Sequence, residues 1–332
     1  MTAALRDFGA TRAGDRVAAV DIAGGGLRAT VLTLGATVQD LRLAGADWPL
    51  VLGAGSVAAY EAPLLYAGAI VGPVANRIAG ASAVIAGRRH VFEANEGGTT
   101  VLHSGAAGLH ARLWRIESAG ADQVTLGIDL ADGEGGFPGN RRIRASFRLA
   151  DPGDLMIELT TVTDAESPVN LAHHGYWTLD GTADTRRHRL RIAADRYLPV
   201  DAALIPTGEV RPVAGTGFDF RAGRILGDAP PLDHNFCLAT ARRDLTEAAE
   251  LVGASGIRLR LATTEPGLQV YDGRHFAPGP DGRGPVPHAG IALEAQGWPD
   301  APNRPDFPPA ALRPGETCRQ ITRFRIDRPD KP

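Results

Sequence analysis

Lysine is almost missing from this 332-residue chain; the single one, Lys331, is the penultimate residue. No formed pocket is expected around it, which argues against Schiff-base lysine chemistry and against a P-loop lysine on phosphates. Cysteine is equally scarce. Cys237 and Cys318 lie far apart with no CxxC pair, which removes a disulfide framework and a thiolate zinc site. Charge of one sign is not in excess either, because the formal net charge is only -3. That leaves no basic field for nucleic acid and no cationic face for a membrane. The arginine-rich stretches RRIRASFR (141–148) and TRRHRLR (185–191) are therefore expected as strand exteriors. No apolar run of signal-peptide or membrane-span length occurs, so a soluble cytoplasmic protein is expected.

Local catalytic motifs are missing as well. AGGGLRA (23–29) lacks the spacing of a dinucleotide-binding loop and is expected as a glycine turn between strands. There is no GxSxG elbow, no HExxH and no EF-hand loop.

What is present is period-two alternation. VTLGIDL (124–130) puts Val124, Leu126, Ile128 and Leu130 on one face. IRASFRL (143–149), LMIELT (155–160) and IRLRLAT (257–263) repeat the pattern, which predicts half-buried antiparallel strands. Gly-, Pro- and Asp-rich clusters such as DGEGGFPGN, DPGD and APGPDGRGP separate them as turns. The best helix candidate is RRDLTEAAELVG (242–253). The fold class expected is all-β, a large antiparallel β-sandwich with few short helices. No linker, composition break or internal repeat divides residues 1–332, so one domain is expected. Nothing in the sequence selects between monomer and homodimer.

Polar residues fit for chemistry come in clusters: Asn76 and Arg77, His103, the pair His173–His174, Asp233 and His234, and Glu294 with Gln296. Each has a plain alternative: a surface ion pair for Arg77, a turn cap for His103, an Asx-turn for Asp233. Glu294 stands out, because GIALEAQ places it inside an apolar strand, and a carboxylate there is costly unless paired or used. Neighbouring strand residues point to opposite faces. If 170–179 is a strand, His174 shares a face with Tyr176, and His173 shares the other with Gly175 and Trp177. One histidine is then functional, the other structural, and a chelate from the pair is excluded.

Taken in order, GPVANRIAGA, LHSG, the Leu-Trp at 113–114, DGEGGFPGN, NLAHHGYWTL, LDHNFCL and LEAQGWPDAPNRPDFPPAALRPGE resemble the aldose 1-epimerase (galactose mutarotase) family. They run from about residue 70 to the C-terminal region. The resemblance implies a galactose mutarotase-like supersandwich with an open cleft for a small-molecule monosaccharide and no metal or organic cofactor. It implies His174 as catalytic acid, four residues after the asparagine of NLxxH, and Glu294 of LExQ as catalytic base. Arg77, His103, Asp233 and Asn76 are implied as ligands of sugar hydroxyls. His173 occupies a position the family often fills with asparagine. The chain departs from the family pattern at Pro73, Trp177, Trp298, Val270 and Asp272, which leaves the preferred sugar open. Three other readings stand beside this one. They are a glycosidase using Glu294 with Asp233 or Glu134, a metal-dependent isomerase using His103, His174 and His234, and a sugar-binding module without catalysis. A carboxylate beside His174 is expected to keep its imidazole protonated near neutral pH.

Overall fold

The computed structural model describes residues 4–278 and 284–329. The alternating segments form strands Gln123–Leu130, Arg141–Ala150, Asp154–Thr163 and Arg258–Thr263. They belong to a nine-stranded antiparallel sheet completed by Arg115–Ala119, Cys318–Asp327, Thr246–Val252, Arg189–Ile192 and Arg224–Ile225. Val124, Leu126, Ile143, Phe147, Leu155 and Ile157 are buried beneath it. The outward arginines meet carboxylates across strands, as Arg144 does with Glu117 at 2.6 Å and Arg319 with Glu158 at 2.8 Å. Arg141 departs from the expected exterior. It is 1% exposed, and its guanidinium donates to the carbonyls of Gly139 and Ala131, which replace water around the buried charge.

A six-stranded sheet runs in the order Tyr176–Trp177, Ile291–Gln296, Gly267–Tyr271, Asp233–Cys237, Arg196–Tyr197 and Arg211–Pro212. A four-stranded meander spans Ala4–Ala10, Arg16–Gly24, Leu27–Leu32 and Thr37–Leu43. One continuous buried cluster takes Val31 from the meander, Phe147 and Phe324 from the large sheet, and Val270 and Leu293 from the six-stranded sheet. Sheets that share an apolar core in this way form a sandwich.

The glycine turn expected at 23–29 lies between the second and third meander strands. Gly25 and Gly26 have φ of 58° and 76°. A Cβ on Gly25 would come within 2.1 Å of the Ala150 carbonyl oxygen, so only glycine fits there. The helix expected over 242–253 does not form. Thr246–Val252 is instead a strand, paired on one side with Arg189–Ile192 and on the other with Arg258–Thr263. A bulge between Glu247 and Ala249 leaves Ala248 and Ala249 both buried. Backbone pairing on both edges outweighs the modest helix preference of Ala, Glu and Leu. The one α-helix among the described residues is the short Val57–Glu61, and none of their helices is long and apolar enough to cross a membrane.

Candidate active site

The six-stranded sheet has one face in the core and the other in a cleft. Leu268, Val270, Ile291 and Leu293 point into the core. Alternation then turns Gln269, Tyr271 and Glu294 the other way. Pairing sets Gln269 opposite Glu294, Asp233 opposite Tyr271, and Tyr176 opposite Ala292. Asp233, Tyr176, Tyr271 and Glu294 line a cavity of about 450 Å³, a size within the range of about 300–1,000 Å³ common for small-molecule sites. Glu294 is only 2% exposed.

The two adjacent histidines divide as the alternation predicts, although 170–179 is not one unbroken strand. Ala172–His173 pairs with Ile70–Val71 and Tyr176–Trp177 pairs with Ile291–Gln296, leaving His174 and Gly175 between them. His173 turns inward against Trp177 and Phe324, with ring centroids 6.3 and 5.9 Å away. Its ring lies across Gly175, where a Cβ would approach it to 2.4 Å. Burial holds His173 neutral, with its pKa lowered to about 3. His174 faces the cleft, and its Nε2 lies 3.6 Å from Glu294 Oε1.

Two tight loops bring in Asn76, Arg77 and His103. Asn76 and His103 both have left-handed backbones, with φ of 60° and 50°. Each loop holds the other: Asn76 N–H donates to His103 Nδ1 at 3.1 Å, and His103 N–H donates to the Asn76 carbonyl at 3.0 Å. Asn76 Oδ1 also accepts from the Arg77 N–H. Non-glycine residues in this region of backbone space cluster where function holds them.

Because Nδ1 of His103 accepts a hydrogen bond, its proton sits on Nε2. This tautomer matters for metal binding. His103, His174 and Glu294 each offer an atom within 4.8 Å of the others, but a protonated Nε2 donates a hydrogen bond and cannot ligate. In this tautomer the trio does not present three metal-ligating atoms.

Arg77 is buried between acids. Its Nε and Nη2 donate to the two oxygens of Glu96 at 2.7 and 2.9 Å, and its Nη1 lies 3.6 Å from Asp233 Oδ2. Gln269 Nε2 donates to Asp233 Oδ1 at 2.6 Å. Tyr66 packs among three imidazoles, with ring centroids 4.7 Å from His103 (tilted), 4.6 Å from His110 (edge-on) and 5.9 Å from His174 (stacked). Glu96, Gln269, Tyr66 and Tyr176 were not singled out as site residues in the sequence. Gln269 had a readable signal, as the polar residue between Leu268 and Val270 in an alternating strand; Glu96 had none, since it sits in a turn.

Other candidates fall outside the cleft. His234 points away from it, its ring against Phe218 at 4.5 Å and its Nδ1 accepting from the Asp233 N–H. Glu134 pairs with Arg112. Gln296 is fully buried and donates to the Gly297 carbonyl. Trp298 packs on Phe307, and its indole donates to the Pro266 carbonyl. None of the five departures from the family pattern is among the described residues that line the cavity. A larger hollow of about 1040 Å³ beside Trp48 shares Pro63 and Leu64 with the cleft. Its threonines are spent on local carbonyls, Thr178 on Thr182 and Thr182 on Asp184.

Burial governs the electrostatics. It pushes the Glu294 carboxyl well above its usual range, with Asp233 adding to the effect and Arg77 opposing it. Asp233 is raised by burial against the pull of Arg77 and Gln269. His174 is lowered to about 4 by burial. This reverses the expectation that a nearby carboxylate keeps the imidazole protonated. Desolvation of the charged ring outweighs the attraction, and the unliganded pair is favoured as neutral carboxyl and neutral imidazole.

The aldose 1-epimerase family model matches residues 19–325. Galactose mutarotase from Homo sapiens is 37% identical over 316 residues, covering 90% of this chain and 91% of its own. Aldose 1-epimerase from Escherichia coli (strain K12) is 34% identical over 321 residues, covering 91% and 92%. The crystal structure of galactose 1-epimerase from Lactobacillus acidophilus NCFM superposes with a TM-score of 0.87 at 26% identity, covering 98% of each chain. The chain belongs to the aldose 1-epimerase family, a family of isomerases.

Proposed function

We propose that this protein interconverts the α and β anomers of a free aldose by acid–base catalysis, on one domain and without a cofactor. The observation that carries the reading is the 3.6 Å approach of His174 Nε2 to Glu294 Oε1 in a cleft lined by hydrogen-bonding side chains. Glu294 removes the proton from the anomeric O1 while His174 protonates the ring oxygen. The C1–O5 bond breaks and C1–O1 becomes a carbonyl. Rotation about C1–C2 presents the opposite carbonyl face. The ring hydroxyl then adds to C1, returning its proton to His174, and Glu294 reprotonates O1. Protons and bonds balance, and no nucleophile is consumed.

The pair needs one transferable proton, and burial, by raising the Glu294 carboxyl, favours holding it there in the unliganded cleft. Moving it to His174 as the anomeric hydroxyl donates to Glu294 gives the carboxylate and imidazolium that ring opening requires. Arg77, His103 through its Nε2–H, Asn76 and Asp233 hold the remaining hydroxyls, and orientation of this kind supports the chemical step.

Polarimetry on freshly dissolved α-D-galactose and α-D-glucose tests the reading. The protein should hasten the approach to an unchanged equilibrium rotation. Saturable sugar binding without acceleration would leave a binding module; release of sugar from an aryl glycoside would instead mark a glycosidase.

A further inference from the structure

We propose that Glu96 is a positioning and specificity residue that adapts Arg77 to uncharged sugars. The proposal rests on the epimerase reading of this cleft. Arg77 is the only arginine or lysine among the described residues that line it. Left alone, a buried guanidinium is a strong attractor for carboxylate or phosphate, which it grips with two parallel hydrogen bonds. Here the edge formed by Nε and Nη2 is already taken by the Glu96 carboxylate. Nη1 lies toward Asp233, and its two N–H groups and the second N–H of Nη2 are what the Glu96 pairing leaves.

Glu96 is itself held in place. Its N–H donates to the Thr100 carbonyl, and its own carbonyl accepts from the N–H groups of Thr99 and Thr100. The preceding residue, Asn95, grips Leu102 twice, accepting from its N–H at 2.7 Å and donating to its carbonyl at 3.1 Å. Leu102 pairs with Arg77 in a two-stranded ladder. The turn carrying Glu96 is thus fastened to the strand carrying its partner.

Two consequences follow for ligand choice. With Glu96 and Asp233 on either side, the guanidinium charge is compensated, and a sugar meets N–H donors suited to hydroxyls rather than an unpaired cation. An aldose bearing a carboxylate meets acidic groups without an available cation, and is rejected.

The test compares wild type, Glu96→Gln and Glu96→Ala on D-galactose and on D-galacturonate, its carboxylate-bearing analogue. Glu96→Gln should raise the ratio of kcat/KM for galacturonate to that for galactose by about tenfold, a value discounted for the part-exposed Glu96 side chain. Glu96→Ala should also raise the ratio, and should increase KM for galactose more than it lowers kcat. A residue with only a structural role would depress both sugars together. An unchanged ratio in both variants overturns the proposal. If wild type hastens neither sugar, the epimerase reading fails on its own, and titration of both sugars onto wild type and Glu96→Gln still reads the affinity ratio.

Discussion

His174 and Glu294 face one another across 3.6 Å with 5% and 2% of their side chains exposed. One comes from the break between two short strands and the other from the middle of the six-stranded sheet. Water is nearly absent from both, so each prefers its uncharged form.

Replacing either partner removes one half of a proton exchange. Glu294→Gln and His174→Asn should each slow mutarotation by about 10²–10⁴-fold, the usual contribution of a positioned acid or base. Polarimetry gives the rate, and circular dichroism verifies that each variant is folded. Retention of near-wild-type rates by Glu294→Gln would remove Glu294 from the chemistry.

The acid limb of kcat/KM should reflect the lowered histidine. The free pair loses function on gaining a second proton, which His174 takes up at about pH 4 rather than at its ordinary 6.5. Activity should hold steady from neutrality down through pH 6 and decline nearer pH 4. A limb centred at pH 6.5 would show that the imidazole titrates as if exposed.

Stability should show the opposite dependence at Glu294. Its carboxyl binds a proton more tightly in the folded state than in the unfolded chain. Stability from this group is therefore present at low pH and lost as pH rises from its ordinary value toward the raised folded one, by about 1.4 kcal/mol per unit. Glu294→Gln carries no such dependence, so its advantage in Tm over wild type should grow between pH 5 and pH 8 by about 2 °C or more. An equal difference at the two pH values would contradict the raised carboxyl.

Arg77, Asp233 and Gln269 should behave as a unit. Gln269 ties down one oxygen of Asp233 while the other lies toward Arg77. The effects of Arg77→Gln and Asp233→Asn on kcat/KM should fall short of additivity in the double variant by about 1 kcal/mol or more. Strict additivity would mean that the two groups act on the sugar independently.

His173 supplies the contrast. It is buried away from the cleft, and both ring nitrogens lack a hydrogen-bond partner. His173→Gln should leave mutarotation near the wild-type rate while altering acid stability. The wild-type ring must be charged on unfolding below pH 6.5 and resists a proton until about pH 3 when folded, so stability declines through that window as pH falls. Urea titrations at pH 7 and 5 should show a smaller loss for the variant. A large loss of turnover in a folded variant would place His173 in the mechanism.

Much of the candidate site's geometry was legible because strands make facing predictable. Alternation separated His173 from His174 and turned Glu294 away from Ile291 and Leu293, before any tertiary contact was considered. The strand pattern around Phe147 and Ile157 was readable for the same reason. RRDLTEAAELVG misled because its residues suit a helix in isolation, while both edges of Thr246–Val252 are claimed by neighbouring strands distant in sequence. Glu96 was invisible for a related reason, because its meaning comes from the partner 19 positions away. The proton affinity of His174 was misjudged because burial depth depends on all the elements packed around it.

The proposed site residues come from five places along the chain: 76–77, 103, 174, 233 and 294. During synthesis, the histidine at 174 leaves the ribosome more than a hundred residues before its carboxylate partner. A nascent chain ending before the Ile291–Gln296 strand lacks the carboxylate that the proposed proton exchange requires. On the proposed mechanism, turnover reports completion of the late strand pairings, and chains truncated before Glu294 should be silent in an anomer-exchange assay.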